Sequence, residues 1–434
     1  MRQPRTIKPL SLFALSAAAA LVHPAVSHAD EKNVPVLAAP ADEKNKTPDA
    51  AYKLLQYSDY IISAEGAAGA HYNDNIYRTG RGEESDIIST LAPRLRGKSK
   101  WERHALGFDV RGELGAYASD SENNYSDFDA RVFGRYDFSN AVSADLWGRY
   151  RYEHSAIGGD PDEPDTTLKE PPTYNYFELG SALNGSFSPL YHWELGLSSL
   201  FYNYHNTSRR DGVLSIYDDK DRNESSVLAT LFYDVAPQSK VFISGGANLI
   251  RYDERIDSTA LYDHDADGYL ALAGFSHDTE TAFWSLAAGY GHQDYEAPEF
   301  EDVSMLALQG EAEFSLGPET ALSFELSRDI RESSSTGVSA YVQSRGKAEL
   351  EHRFDVNWSA SAGARYTVNN FQSNTTLSGI DRKDKVFQPE LAAHYVINDK
   401  ARLSLEYRYS DRSSNNAAVE YDANIVGLRL KLRP

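Results

Sequence analysis

The sequence predicts an all-β fold: a transmembrane antiparallel up-and-down β-barrel of about 18 strands (16–18), with short periplasmic turns and long extracellular loops. Three observations carry this. Apolar and polar residues alternate with period two: Leu322, Phe324 and Leu326 interleave with Ser323, Glu325 and Ser327, and Leu403, Leu405, Tyr407 and Tyr409 interleave with Arg402, Ser404, Glu406 and Arg408. That is the strand pattern, and no window of similar length shows a helical period. Short turns and long polar connections also take turns along the chain. Finally, aromatic residues gather at strand ends, where rings settle at membrane interfaces. A soluble propeller is the rival, because successive short turns lie roughly 38–50 residues apart, near a blade period. Each interval, however, holds two long strands rather than four short ones.

The elements follow in order. Arg2, Arg5 and Lys8 precede an apolar run from Leu10 to Val22, and Ser27-His28-Ala29 offers small residues for cleavage. Residues 1–29 therefore read as a secretory signal peptide, the run being short of the ~20 residues a membrane anchor needs. In residues 30–56, Asp30-Glu31-Lys32-Asn33 recurs as Asp42-Glu43-Lys44-Asn45 among Pro35, Pro40 and Pro48. So polar a stretch buries too little apolar surface to offset ordering and reads as a flexible periplasmic leader. The barrel occupies residues 57–434. Its short turns are expected near Gly97-Lys98-Ser99, Ser139-Asn140, Ser188-Pro189, Ala236-Pro237-Gln238, Asp278-Thr279-Glu280, Gly317-Pro318-Glu319, Asp355-Val356-Asn357 and Asn398-Asp399-Lys400. Long connections include Gly158 to Pro172, Asn206 to Arg222 and Phe371 to Lys385.

Composition narrows the function classes. The chain holds no cysteine, which excludes disulfides, thiolate nucleophiles and Cys-ligated metals. A formal net charge of -21 argues against a nucleic-acid partner. Mean hydropathy is only -0.53, as expected when one strand face meets lipid and the other water. One aromatic belt is expected at Trp101, Tyr136, Phe138, Tyr191, Trp193, Tyr233, Trp284, Phe354, Trp358 and Tyr395, near the short turns. The second is expected at Tyr125, Tyr152, Tyr202, Tyr252, Tyr366 and Tyr409, toward the long loops.

If the apolar phase faces lipid, the other phase lines the lumen. Strands two to five then turn Arg94, Arg96, Arg111, Arg131, Arg135, Arg149 and Arg151 inward, and the last five strands add Arg345, Lys347, Arg365, Arg402, Arg408, Arg429 and Lys431. Closure makes these one arc, interleaved with carboxylates such as Asp109, Asp129, Glu349, Glu390 and Glu406. The opposite wall presents Glu178, Glu194, Glu311, Glu313 and Glu325, with no inward Lys or Arg assigned. Opposed signs would set a transverse field that orients polar solutes; the alternative is that lumen charges pair across strands and brace the wall. Tyr176, Tyr202, Tyr204 and Tyr252 also turn inward beside Asn184, Ser198, Ser244 and Asn248, a set suited to stacking on sugar faces. Packing within the lumen is the competing reading.

Enzyme signatures are missing: there is no Gly-x-Ser-x-Gly elbow, zincin motif or phosphate loop, and the 12 His do not cluster. No catalytic residue, cofactor or metal is expected. Asp263-His264-Asp265-Ala266-Asp267-Gly268 resembles half a calcium loop, but Gly274 stands where the twelfth-position Glu belongs. A solvated loop is the plainer reading there, as it is for the acidic stretch Asp160, Asp162, Glu163, Asp165 and Glu170.

In the first predicted hairpin, Tyr72-Asn73-Asp74-Asn75-Ile76-Tyr77-Arg78-Thr79, followed by Glu83 and Ser85-Asp86, resembles the opening of the putative β-barrel porin 2 family. Leu91-Ala92-Pro93-Arg94-Leu95 fits the second strand of that pattern, and Phe387-Gln388-Pro389-Glu390-Leu391 is a related phrase. The resemblance covers most of residues 57–434. It implies a Gram-negative cell outer-membrane barrel, in some members linked to exopolysaccharide export. One departure is the ending on Pro434, where such barrels usually end on an aromatic residue. Partners implied are outer-membrane lipid and lipopolysaccharide, the barrel-assembly machinery and polysaccharide. Three functions are open: an exopolysaccharide conduit, a general small-solute diffusion porin, and a non-conducting structural or adhesive barrel. Oligomeric state and inward-folding loops are not legible at this level.

Overall fold

A computed structural model describes residues 55–57, 59–162, 164–253, 263–333, 335, 337–373 and 381–433. The expected signal peptide and nearly all of the leader lie outside the described residues.

Eighteen long strands form the wall: β1 (Tyr60–Asn73), β2 (Asp86–Ser99), β3 (Ala105–Tyr117), β4 (Tyr125–Asp137), β5 (Val142–His154), β6 (Thr173–Ser188), β7 (Tyr191–Tyr204), β8 (Arg222–Ala236), β9 (Ser239–Tyr252), β10 (Ala266–Asp278), β11 (Ala282–Tyr295), β12 (Val303–Ser315), β13 (Thr320–Glu332), β14 (Val338–Arg353), β15 (Trp358–Ser373), β16 (Lys383–Asn398), β17 (Ala401–Ser414) and β18 (Tyr421–Leu432). Each pairs antiparallel with its sequence neighbours, and β18 returns to β1 from Gly66↔Leu432 to Asn73↔Ile425. The ring is closed, so backbone groups are satisfied within the wall along most of its height, which hydrocarbon demands. A short segment, Leu55–Tyr57, folds back on Tyr60–Ile62 of β1. No described helix is long and apolar enough to cross a membrane; the strands do so.

The alternation of the sequence becomes an inside-out distribution. Leu91, Leu95, Leu114, Val132, Leu146, Leu286, Leu306 and Leu405 are exposed on the outer face, where lipid is their solvent. Pro93 and Pro389 also lie in this outer phase, and the ladder skips a step beside each, because proline has no N–H to donate.

The aromatic belts are partly redrawn. Trp101, Tyr136, Phe138, Tyr191, Phe354 and Trp358 are exposed outside near the short turns. At the other end the outward rings are Tyr72, Tyr150, Tyr269, Tyr290, Tyr366 and Tyr407. Tyr202 and Tyr252 are buried, and Tyr125 donates to Glu113 of the lumen face. Their position in the alternation shares the parity of lumen carboxylates, so they do not belong to a lipid belt. One turn also moves: Gly97 to Ser99 remain paired within β2, and the turn comes after residue 99.

The Tyr72–Thr79 stretch has a physical role in closure. The Asp74 carboxylate accepts from Asn424 N (2.6 Å) and Asn424 Nδ2 (2.8 Å). Fully buried Asn75 donates to Asp422 O at 2.7 Å and to Thr79 O at 2.8 Å. The motif thus clips the first strand to the last at the long-loop end. The tight loop puts Arg78 at φ 52, an uncommon conformation for a residue with a Cβ.

Candidate functional site: a one-sided pore

The charged arc is built as a braced network. Glu65 on β1, 9% exposed, lies 3.1 Å from Arg96, 3.1 Å from Lys431, 3.4 Å from Arg433 and 3.7 Å from Arg94. Arg94 also holds Asp109. Asp129 bridges Arg111 (2.7 Å) and Arg149 (2.6 Å). Arg151 approaches Glu153 at 3.6 Å and lies over the Tyr176 ring, while Arg131 lies over Phe133. Arg408 donates to Glu390 at 3.0 Å, and Lys347 meets Glu349 at 2.9 Å. Arg402 lines the lower lumen with Arg94, Arg111, Arg149 and Arg151. Cross-strand bracing therefore accounts for many of these charges, each exposed pair contributing about 0–1 kcal/mol. Glu65 escaped the sequence reading because the Ala- and Gly-rich β1 has a weak phase.

The opposite wall differs from expectation. It does carry inward cations: Arg222 pairs with Glu224 at 2.7 Å, Lys240 lies 3.7 Å from Asp234, and Arg331 pairs with Asp329. The expectation of a wall without inward Lys or Arg is corrected; all three cations sit at strand ends, Arg222 and Arg331 beside long loops and Lys240 beside a short turn. Glu178 is buried and accepts from Trp147 Nε1 at 2.6 Å and Tyr176 OH at 3.0 Å. Glu194 is buried too. Glu311 faces Glu325 across β12 and β13, with Glu313 nearer the turn.

The inward tyrosines are inward as expected, yet buried in one another. Tyr176 meets Tyr202 edge-on at 5.2 Å, Tyr174 stacks on Tyr204 at 5.3 Å, and Arg222 lies 4.5 Å from the Tyr202 centroid and 5.7 Å from that of Tyr252. Tyr176, Tyr202, Tyr204 and Tyr252 are each at most 8% exposed. Tyr176, Tyr202 and Tyr204 form a packed mass with Ile76, Ile157, Leu168 and Leu200 on this side of the lumen, and Tyr252 packs in a second cluster with Ile250, Tyr295 and Phe300.

Two further pieces close the lumen at the long-loop end. Pairing between β12 and β13 stops at Leu308↔Arg328, although β12 begins at Val303 and β13 continues, paired with β14, to Glu332↔Ala340. Ile330, Ala340 and Val342, in the lipid-facing phase, pack instead on inward Val303, Met305 and Ala307. The tip of the β13–β14 hairpin has thus left the wall and folded inside. There Ser333 and Ser335 donate to Asp162 Oδ1 at 2.7 and 2.9 Å.

The second piece is the acidic connection between β5 and β6. The carbonyl of Pro161 accepts from Arg382 and Arg412, both at 2.6 Å, and that of Asp162 from Arg382 at 2.5 Å. Both guanidiniums are held by the fully buried Asp384 carboxylate, at 2.7 and 2.6 Å. Lys220 lies 3.5 Å from Asp160. The expectation of a solvated loop is corrected for Asp160 and Asp162: the stretch crosses the lumen as a plug. Glu163 lies outside the described residues. Cavities of about 70, 140 and 340 Å³ lie along the charged arc.

The calcium-like loop is differently used. Carboxylate oxygens of Asp263, Asp265 and Glu296 lie within 4.8 Å of one another. Asp265 accepts from Tyr252 N at 2.7 Å, and Arg251 supplies positive charge, 2.6 Å from Asp267. Ala266 to Gly268 already belong to β10, so the second half of the calcium-like pattern is strand rather than loop. His352 and His394 each bond a hydroxyl, Thr320 and Ser404 respectively, both at 2.8 Å. Outside the wall, burial pushes the Asp221 carboxyl up to about 6, although Tyr204 N and Asn203 Nδ2 donate to it.

Among solved structures, the chain is similar to Pseudomonas aeruginosa OccK9 (OpdG), with 15% identity, 86% of this chain and 98% of that chain covered, and a TM-score of 0.45. It is similar to Acinetobacter baumannii OccAB4 at 11% identity, covering 87% and 98%, with a TM-score of 0.45. The FrpB iron transporter of Neisseria meningitidis matches at 8% identity, over 81% of this chain and 62% of that one, with a TM-score of 0.45. Among curated proteins, no sequence matches significantly. The family model described as putative beta-barrel porin 2 matches residues 55–434. The chain is a porin-like outer-membrane β-barrel and belongs to the putative β-barrel porin 2 family.

Proposed function

We propose that this protein is a narrow, passive channel for small solutes across the outer membrane. The observation that carries the reading is the plug: Pro161 and Asp162 are anchored by Arg382 and Arg412, and cavities lined by described residues lie along the charged arc. The lower chamber, about 340 Å³, has the volume of a small-ligand site. A hydrated polysaccharide chain would need the plug to leave. The tyrosines that suggested sugar stacking have their faces covered by one another and by Arg222, so the export reading has lost its structural motive. In the cell, the chain would lose residues 1–29, be inserted by the barrel-assembly machinery, and meet lipopolysaccharide at the long-loop end.

The test is conductance of purified, folded protein in planar bilayers, with liposome swelling in a size series of neutral solutes. Small, steady conductance with a cut-off near simple sugars supports the reading. Passage or block by soluble exopolysaccharide would favour the conduit, and no current from a folded barrel would favour the structural one.

A further inference from the structure

We infer that Arg429 is the residue that selects solutes in this channel, and that the solutes favoured are small anions of the carboxylate class. The inference rests on the channel reading above. Arg429 lines both the upper and the lower chamber, so a solute following the open arc passes it. Around it the lumen charges are paired: Arg94 with Asp109, Arg149 with Asp129, Arg408 with Glu390 and Lys431 with Glu65. Among the described residues no carboxylate lies within ion-pair distance of Arg429; Glu406 acts on it only at longer range.

Its neighbours are small. Arg429 sits directly across from Gly69 on β1 and Ser404 on β17, so no bulky cross-strand side chain covers it. A guanidinium with open space before it and no resident carboxylate presents a planar fork matched to a carboxylate. In a lumen walled by low-dielectric protein its field is focused rather than screened away. Paired charges in the same arc brace the wall and offer a passing anion little.

The test uses the absence of native cysteine. Reversal potentials are measured in a potassium chloride gradient, and then with potassium acetate, for wild type, Arg429→Gln and Arg429→Cys. Wild type should favour anions, and Arg429→Gln should lower the anion-to-cation permeability ratio about threefold to tenfold. On open Arg429→Cys channels, a cationic methanethiosulfonate should restore the ratio and an anionic one should depress it further. That in-place modification stands even if Arg429→Gln folds poorly. A cation-selective wild type, or a ratio indifferent to charge at position 429, overturns the inference while leaving a channel. No current from any folded protein overturns the channel reading, and this inference with it.

Discussion

Arg412→Ala isolates the plug. Arg412 gives the loop a 2.6 Å hydrogen bond at Pro161 O and a longer one, 3.3 Å, at Asp160 O. A hydrogen bond from a charged group contributes about 1.5–3 kcal/mol net. At 1.4 kcal/mol per factor of ten, its loss should raise the population with the loop detached roughly ten- to hundred-fold. The wall itself should survive, because Asp384 keeps Arg382 at 2.7 Å and Ser414 at 2.7 Å. Single-channel recording is the assay: the variant should visit a larger conductance level far more often than wild type, at the same protein density. Removing both arginines would strand a buried carboxylate, so that version should carry Asp384→Asn as well. If Arg412→Ala folds, as judged by heat-dependent gel mobility, and shows wild-type conductance and gating frequency, the loop is not what narrows this pore.

Three other expectations follow. Asp74→Ala removes both bonds to Asn424 and should lower the temperature at which the barrel loses its compact mobility on gels, with a cost of about 1–3 kcal/mol. At Gly180 an added Cβ would stand 2.1 Å from the Trp147 ring, so Gly180→Ala should destabilise by about 1–3 kcal/mol in denaturant titration; Gly66→Ala, with nothing within 4 Å, should be silent. Because the folded Asp221 carboxyl titrates near pH 6, above its ordinary value of 3.8, its contribution is full below about pH 4 and lost as pH rises through 6. Hydrogen-exchange protection around Asp221, taken relative to the intrinsic rate at each pH, should therefore fall between pH 4 and 7, and Asp221→Asn should flatten that trend.

The wall was legible in the sequence because its physics is local. A period of two, with Leu and Val in one phase and Arg and Glu in the other, needs no knowledge of partners. Hence Arg94, Arg111 and Arg149 could be turned inward by parity alone. The plug was not legible, because its bonds join residues far apart in the chain, 171 positions from Ser333 to Asp162 and 220 from Arg382 to Asp162. Nothing near Asp160 or Asp162 signals that arginines wait across the lumen. The folded hairpin was hidden for another reason: Ile330 and Val342 keep their apolar phase whether they meet lipid or Met305. Both solvents are apolar, so the pattern is the same.

The tyrosines show where parity stops being informative, and one substitution separates the two uses they could have. Parity puts Tyr202 inside, but only register puts it opposite Tyr176, while Arg222 lies against its ring. If these rings are a structural filling, Tyr202→Ala leaves a cavity and strands the Arg222–Glu224 pair beside it. A large aromatic removed from a packed site costs about 3–5 kcal/mol, so the barrel should unfold at clearly lower denaturant. Its conductance, carried on the far side of the lumen by the charged arc, should change little in ion selectivity. Were the rings a sugar platform, stability would hardly move, and block by added polysaccharide would weaken instead. Measuring denaturation and polysaccharide block on the same preparation decides between them. A stability loss without a block change would assign these rings to the packing of the wall and leave the charged arc as the route that the channel reading predicts.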